Sequence, residues 1–591
     1  MKYRISALLL IAFSCTVSAD PAAAGKQAQA KREPDLCVVP PGAQPLLPAK
    51  LHPGMGETKG FAVTTSSEDA RKFFLQGLSQ IHSFWFIESE RSCLQALEFD
   101  PRMAMAHWCI ALSAASDHRP AFQLIRNAAT GGRPAAATNA EAVARKTNGA
   151  AIDPQVRARE AIQQAVALVD TVTPRERLYI DAQAARRLTS DRERADAAYI
   201  DGMRKLVAAY PDDLDAKSML ALAIDNGFEP ITKAPRANTL EAIRLLEEVV
   251  AKDDGHFGAH HYLIHAYEGS RTPEKAWHSC ERYAALVPNI PHALHMPGHI
   301  YAQSDKIQEA IAAFTSAAEN ELTWLGADSL YPNGHHGHNV HFLIHALNLG
   351  GRYQDSMKWT RHLFTFRETP REQSGNNQRG PWRQAYFGLI KTLVRFEKWD
   401  DILDGTTIPL YDKPEQNAWR HWAIGLAEAA KGRTDRAETA LADLKKDTAA
   451  VTSASEPIMI AAVELEATIA GRAGNYKKAA ELFRKAADRE AAMLYTEPPS
   501  YPRPVLEGWG NVALATNQYA DAERAFREAL EREPGGGRAY FGLAAALAGL
   551  GRTTEAADVR ARALKAWANA DGDLPQLNAK QTSSAGEHRR D

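Results

Sequence analysis

The sequence predicts an all-α fold, a solenoid of stacked helical hairpins with interruptions between them. Three observations predict it. Small residues, an aromatic and a proline recur in one order at a spacing of 34 residues. The composition, 45% hydrophobic and 24% charged, is that of a folded chain. Past the first 20 residues, nothing approaches the roughly 20 consecutive apolar residues that span a bilayer. A chain of 591 residues has room for an extended array of this kind.

The repeat is clearest near the C-terminus, where Gly510, Ala522, Phe526, Ala529 and Pro534 take successive positions of the tetratricopeptide (TPR) pattern. Adding 34 carries Gly510 to Ala544 and Ala522 to Ala556. The same frame fits Gly77, Ala96 and Pro101, then Gly425, Gly432 and Ala437, and most fully Gly298, Tyr301, Ala310, Phe314 and Ala317. The small residues let the two helices of a hairpin approach, the aromatic fills the space between them, and proline ends the second helix. No single hairpin buries its own apolar face, so the units stack into one core.

Along the chain, residues 1–19 read as a signal peptide, with a positive start, an apolar run from Ile5 to Phe13 and Val17-Ser18-Ala19 as the cleavage site. Residues 20–60 form an extended Pro-rich segment. Residues 61–250 are an N-terminal hairpin region, 251–365 the central histidine-rich units, 366–574 a C-terminal hairpin region and 575–591 a disordered tail. Interruptions fall at 119–160, Pro230 to Asn238 and Thr369 to Pro381. A nine-residue insertion containing Glu497 to Arg503 reads as a Pro-rich linker, with a loop reaching back to the groove as the alternative.

The leader predicts a periplasmic or secreted protein; Ala12-Phe13-Ser14-Cys15 is a poor lipoprotein box. Beyond it, Cys37, Cys93, Cys109 and Cys280 lack the close spacing of zinc ribbons or redox motifs, and spacing alone assigns no disulfide. Lys and Arg total 70 against 72 for Asp and Glu, so there is no basic excess to track a nucleic-acid backbone, and the expected partners exclude nucleic acid.

Thirteen of the 20 histidines lie between His256 and His345. In the repeat frame one unit starts at Phe257 and the next at Pro291. A third starts at Gly337, after a 12-residue insertion. His261 and His265, His295 and His299, and His341 and His345 then occupy positions 5 and 9 of successive units, and His292 and His338 occupy position 2, where the first unit has Gly258. Offsets of three and four put these side chains on one face of the first helix, which lines the concave groove.

A histidine pair four apart on a helix chelates one ion, and a neighbouring helix can complete the sphere. The eight are therefore candidate metal ligands, with the six at positions 5 and 9 as the inner set and copper, iron or zinc as the metal. The absence of HExxH argues against a protease. A metal-dependent oxidoreductase or hydrolase acting on a small molecule or peptide in the groove is the leading expectation. A non-catalytic metal-binding protein and an interaction scaffold are the alternatives.

Tyr267, Glu268, Asp328 and Tyr331 stand nearby in sequence with no motif to distinguish them, and His335 and His336 read as loop residues. His260 and His278 fall on different helix faces, and His82 lies far along the array.

The segments HYLIHAYE (His261 to Glu268), PHALHMPGHIY (Pro291 to Tyr301), TPRERLYIDA (Thr173 to Ala182), YPDDLDAKSMLALA (Tyr210 to Ala223) and LYTEPPSYPRP (Leu494 to Pro504) resemble a family of secreted bacterial tetratricopeptide proteins. The resemblance spans about Glu68 to Ala570, with the two histidine segments as its most specific part. It implies the fold and the compartment and no particular reaction. Where that family carries a Phe-Asn-His-like step, this chain has Phe84-Trp85-Phe86, so a ligand at that step would be missing here.

Overall fold

A computed structural model describes residues 48–58, 60–116, 118–124, 154–189, 191–327, 333–366, 380–411, 413–451, 455–494, 496 and 498–578. The leader, Cys37, Asp328, Tyr331, Glu497, most of the 119–160 interruption and the last 13 residues of the tail lie outside them.

Among the described residues the chain is helical throughout, with one isolated antiparallel bridge, Phe228 to Pro235, in the loop that the sequence places there. Helices alternate in antiparallel pairs. The repeat residues do what the pattern requires: a Cβ on Gly298 would stand 2.4 Å from Phe314, and one on Gly510 would stand 2.5 Å from Phe526. In both hairpins the glycine and the aromatic are 16 residues apart, and the missing side chain is what lets the ring in. In the first hairpin the equivalent partner of Gly77 is Cys93, bonded to Cys109 as a disulfide.

One hydrophobic core extends from Met55 to Ala385 and a second from Met357 to Ala556. Residues before the first helix cross the array as an extended strap, tied down where Gln76 donates to the Lys50 carbonyl (2.9 Å), Asn289 N to the Gly54 carbonyl (3.0 Å) and Thr64 N to Glu176 (2.7 Å). Glu176 also closes a capping box with Thr173, fixing the start of the Pro174–Arg187 helix.

Trp567 Nε1 donates to the Leu349 carbonyl (2.8 Å) and Asp571 accepts from Gln354 N (2.8 Å), so the end of the last hairpin meets the turn of a central one.

Two local expectations are corrected. Part of the 12-residue insertion lengthens the Ile307–Ala327 helix, and the next helix starts at Gly334 rather than Gly337, which places His335 and His336 on a helix. The Pro-rich insertion is also more than a linker. Tyr501 is buried, its hydroxyl donates to Glu464, and the Pro499 carbonyl accepts from Lys391 (2.9 Å).

Candidate metal centre

His261 and His265 project from the Phe257–Tyr267 helix, and His292 from the first turn of the Pro291–Gln303 helix in the next hairpin. One ring nitrogen from each of the three lies within 4.8 Å of the other two. His261 Nε2 and His292 Nε2 are 3.2 Å apart. Two nitrogens bound tetrahedrally to one ion at about 2.0–2.1 Å would stand about 3.3 Å apart, so this separation needs almost no adjustment.

The far side of each ring on the first helix is held. The His261 Nδ1–H donates to the His82 carbonyl, which leaves Nε2 with its lone pair turned to His292. His265 Nδ1 stands 3.0 Å from Glu268 Oε1, while its Nε2 is buried with no protein partner. A metal-binding imidazole ordinarily carries such a carboxylate or carbonyl on its second nitrogen, which fixes the tautomer and makes the other nitrogen a better donor. Burial pushes the basicity of His261 and His292 well down, and neighbouring imidazoles push it further, so both rings are neutral at pH 7 and can ligate.

Glu268 caps the C-terminal end of the Phe257–Tyr267 helix and is fully buried. Burial alone would raise its pKa, but His265 and His299, each with Nδ1 3.0 Å from Oε1, outweigh that and hold the carboxyl well below its usual range. The rings are roofed by Phe84, centred 4.4, 5.3 and 5.6 Å from His261, His265 and His292. Its φ of +52° is costly for a bulky side chain, the kind of local strain that a surrounding structure maintains at functional sites.

His82 belongs here too, contrary to its distance in sequence. Its ring bridges Tyr262 Oη (3.0 Å) and Asp215 (2.9 Å), and it fills the space that Gly258 leaves at position 2. A Cβ on Gly258 would stand 2.6 Å from His82 Nδ1.

The remaining predicted ligands divide. His295 and His299 pair through Nε2 atoms 2.7 Å apart, beside His338, whose ring is centred 5.2 Å from that of His295. His341 and His345 take no part in either grouping. His341 Nε2 is 3.2 Å from the ammonium of buried Lys391, and burial together with that cation depresses the basicity of both rings. An amine at this distance donates to the lone pair, and in its protonated form it repels a metal cation.

His335 is held by Glu321 (2.6 Å), and His336 meets His362 (Nε2 to Nε2, 3.1 Å). His260 and His278 gather on Asp254 rather than parting, but Arg282 already neutralises that carboxylate (2.7 Å), as expected of a surface ion-pair cluster.

The frame found the ring-bearing residues and missed what orients them. A glutamate three residues after His265 was the available signal for Glu268. Phe84 and Lys391 carry no sequence signal, because only the stacking of hairpins brings them to the histidines.

The tetratricopeptide repeat model matches residues 508–571. No curated protein matches the sequence. Among solved structures, the human IFIT1 dimer with m7Gppp-AAAA aligns at 11% identity and a TM-score of 0.33, covering 86% of this chain and 92% of that one. Yeast Tom70 aligns at 11% identity and a TM-score of 0.25 with the same coverages. Neither superposition is close enough to transfer a groove, a ligand or a partner.

Proposed function

We propose that the protein binds a transition metal, copper, iron or zinc, through His261, His265 and His292, and that it uses the metal to act on a small molecule or peptide in the groove. The observation that carries the reading is the convergence of three ring nitrogens within 4.8 Å from two hairpins. Support comes from the 3.2 Å separation of two of them and the carboxylate behind a third. Three protein nitrogens leave a fourth position for water or substrate, the arrangement of catalytic rather than structural sites. The signal-like leader and the Cys93–Cys109 disulfide support an oxidising, extracytoplasmic location. No helix among the described residues is long and apolar enough to cross a membrane.

The test is elemental analysis of the purified protein beside His261→Ala and His265→Ala. Metal in the native chain and about one equivalent less in both variants is the expected result; equal metal in all three sinks the reading. A spectrum showing an exchangeable water on the metal would support catalysis over storage.

A second reading, an interaction scaffold without metal, is favoured by the tetratricopeptide match at 508–571. It predicts capture of a partner protein that is indifferent to chelator and to both substitutions.

A further inference from the structure

The triad His261, His265 and His292 is one copy of a pattern that the chain carries twice. Advancing one 34-residue repeat takes His261 to His295 and His265 to His299; advancing His292 by 34 plus the 12-residue insertion takes it to His338. We propose that His295, His299 and His338 form a second transition-metal site, so that the protein binds two ions in adjacent hairpins. The inference rests on the metal reading above.

The second set repeats the first in its surroundings as well as its register. In each, two histidines four apart on the first helix of a hairpin are joined by a third near the start of the first helix of the next hairpin, His292 in the first turn of Pro291–Gln303 and His338 one turn in from Gly334. His292 is centred 5.0 Å from His261, and His338 is centred 5.2 Å from His295. In each, one phenylalanine packs against all three rings. Phe84 does so in the first, and Phe342 in the second at 4.5, 4.7 and 4.7 Å from His295, His299 and His338.

Each set also has the same carboxylate behind its position-9 ring, because Glu268 Oε1 stands 3.0 Å from Nδ1 of both His265 and His299. A carboxylate serving two metal-binding imidazoles in this way orients both and offsets the charge of both ions.

The second set is gathered less fully than the first: the His295 and His299 Nε2 atoms stand 2.7 Å apart, but only in the first set do three ring nitrogens lie within 4.8 Å of one another, and His338 joins the pair by ring contact. His295 Nδ1 is buried without a partner, so no contact there fixes the ring's tautomer and Nε2 can give up its proton to ligate. Parting the two Nε2 atoms from 2.7 Å to the ~3.3 Å of a tetrahedral site is a movement of roughly half an ångström. The proposal also accounts for where the series stops. A third ion would use His341 and His345, and there the following hairpin offers the Lys391 ammonium instead of an imidazole.

The experiment is metal stoichiometry on the full-length protein, stripped with chelator, reloaded with zinc and desalted. Two equivalents are expected for the native chain, one for His299→Ala, one for His261→Ala and none for the double variant. His338→Gln, at a partly exposed position, should also bind one, and it serves if His299→Ala fails to fold by circular dichroism. One equivalent in the native chain, retained in His299→Ala and lost in His261→Ala, overturns the second site and leaves the first. No zinc in the native chain overturns both, and two equivalents retained in both His299→Ala and His338→Gln place the second ion elsewhere.

Discussion

The central hairpins and the C-terminal hairpins turn chemically opposite faces inward. In the C-terminal region the buried charges satisfy one another. Arg395 lies between Glu507 (3.1 Å) and Glu533, Arg538 reaches Glu507 (3.3 Å) and Glu397 (2.6 Å), and Glu464 takes Arg503 (3.1 Å), Trp422 Nε1 (3.0 Å) and Tyr501. In the central region burial and neighbouring imidazoles keep His261, His292 and His295 neutral, and the Glu268 carboxylate stands behind His265 and His299. The same helical hairpin can thus present a network complete in itself or a set of nitrogen donors that a cation completes. What decides is whether an arginine or a histidine stands at the inward positions.

The largest effect expected from breaking this contrast lies on the C-terminal side. Arg395→Leu leaves Glu507 and Glu533 buried with their shared cation gone, and removal of one partner of a buried ion pair costs about 3–5 kcal/mol. Urea unfolding should show that loss while zinc binding by the folded fraction is unchanged. An unshifted midpoint would mean that Arg538 alone neutralises the pair.

On the central side, Glu268→Gln keeps the shape of the side chain and removes its charge. Because the carboxylate acts through His265, zinc affinity should fall about 10–100-fold, with little change in helix content. Competition with a chelator of known affinity measures it. An unaltered affinity would reduce Glu268 to a helix cap.

How much of this was legible beforehand follows from the same contrast. The repeat spacing and the position 2, 5 and 9 register are set within a helix or between neighbouring helices, so the all-α hairpins and the candidate ligands could be read directly. The exact grouping could not, because it pairs positions 5 and 9 of one unit with position 2 of the next, and only the stacking shows which neighbour supplies the third ring. Phe84, His82, Lys391 and the buried Tyr501 loop come from hairpins remote in sequence; Lys391 reached His341 only because two helices that look unremarkable alone pack side by side. Glu268 was visible as a residue and not as a role, since a glutamate ending a helix is common and its burial between two histidines is not.

The smallest effect tests why the third histidine pair differs. Burial, aided by Arg395 and opposed by Glu533, pushes the Lys391 ammonium down to about 7. A base whose folded pKa is depressed costs nothing above the ordinary lysine range and loses stability as pH falls toward the folded value, because the unfolded chain takes the proton first.

Between pH 8 and pH 7 the native chain should lose about 1 kcal/mol through this group, and Lys391→Met should not. Asp225 and Glu490, carboxyls that burial raises to about 7, titrate in the same window with the opposite sign. They are present in both chains and cancel in the difference between the two urea midpoints. The lost bond to the Pro499 carbonyl shifts the variant equally at both pH values. Parallel pH profiles would show that Lys391 keeps its proton in the fold. The cation barring metal from His341 and His345 would then be permanent rather than one that alkaline pH removes.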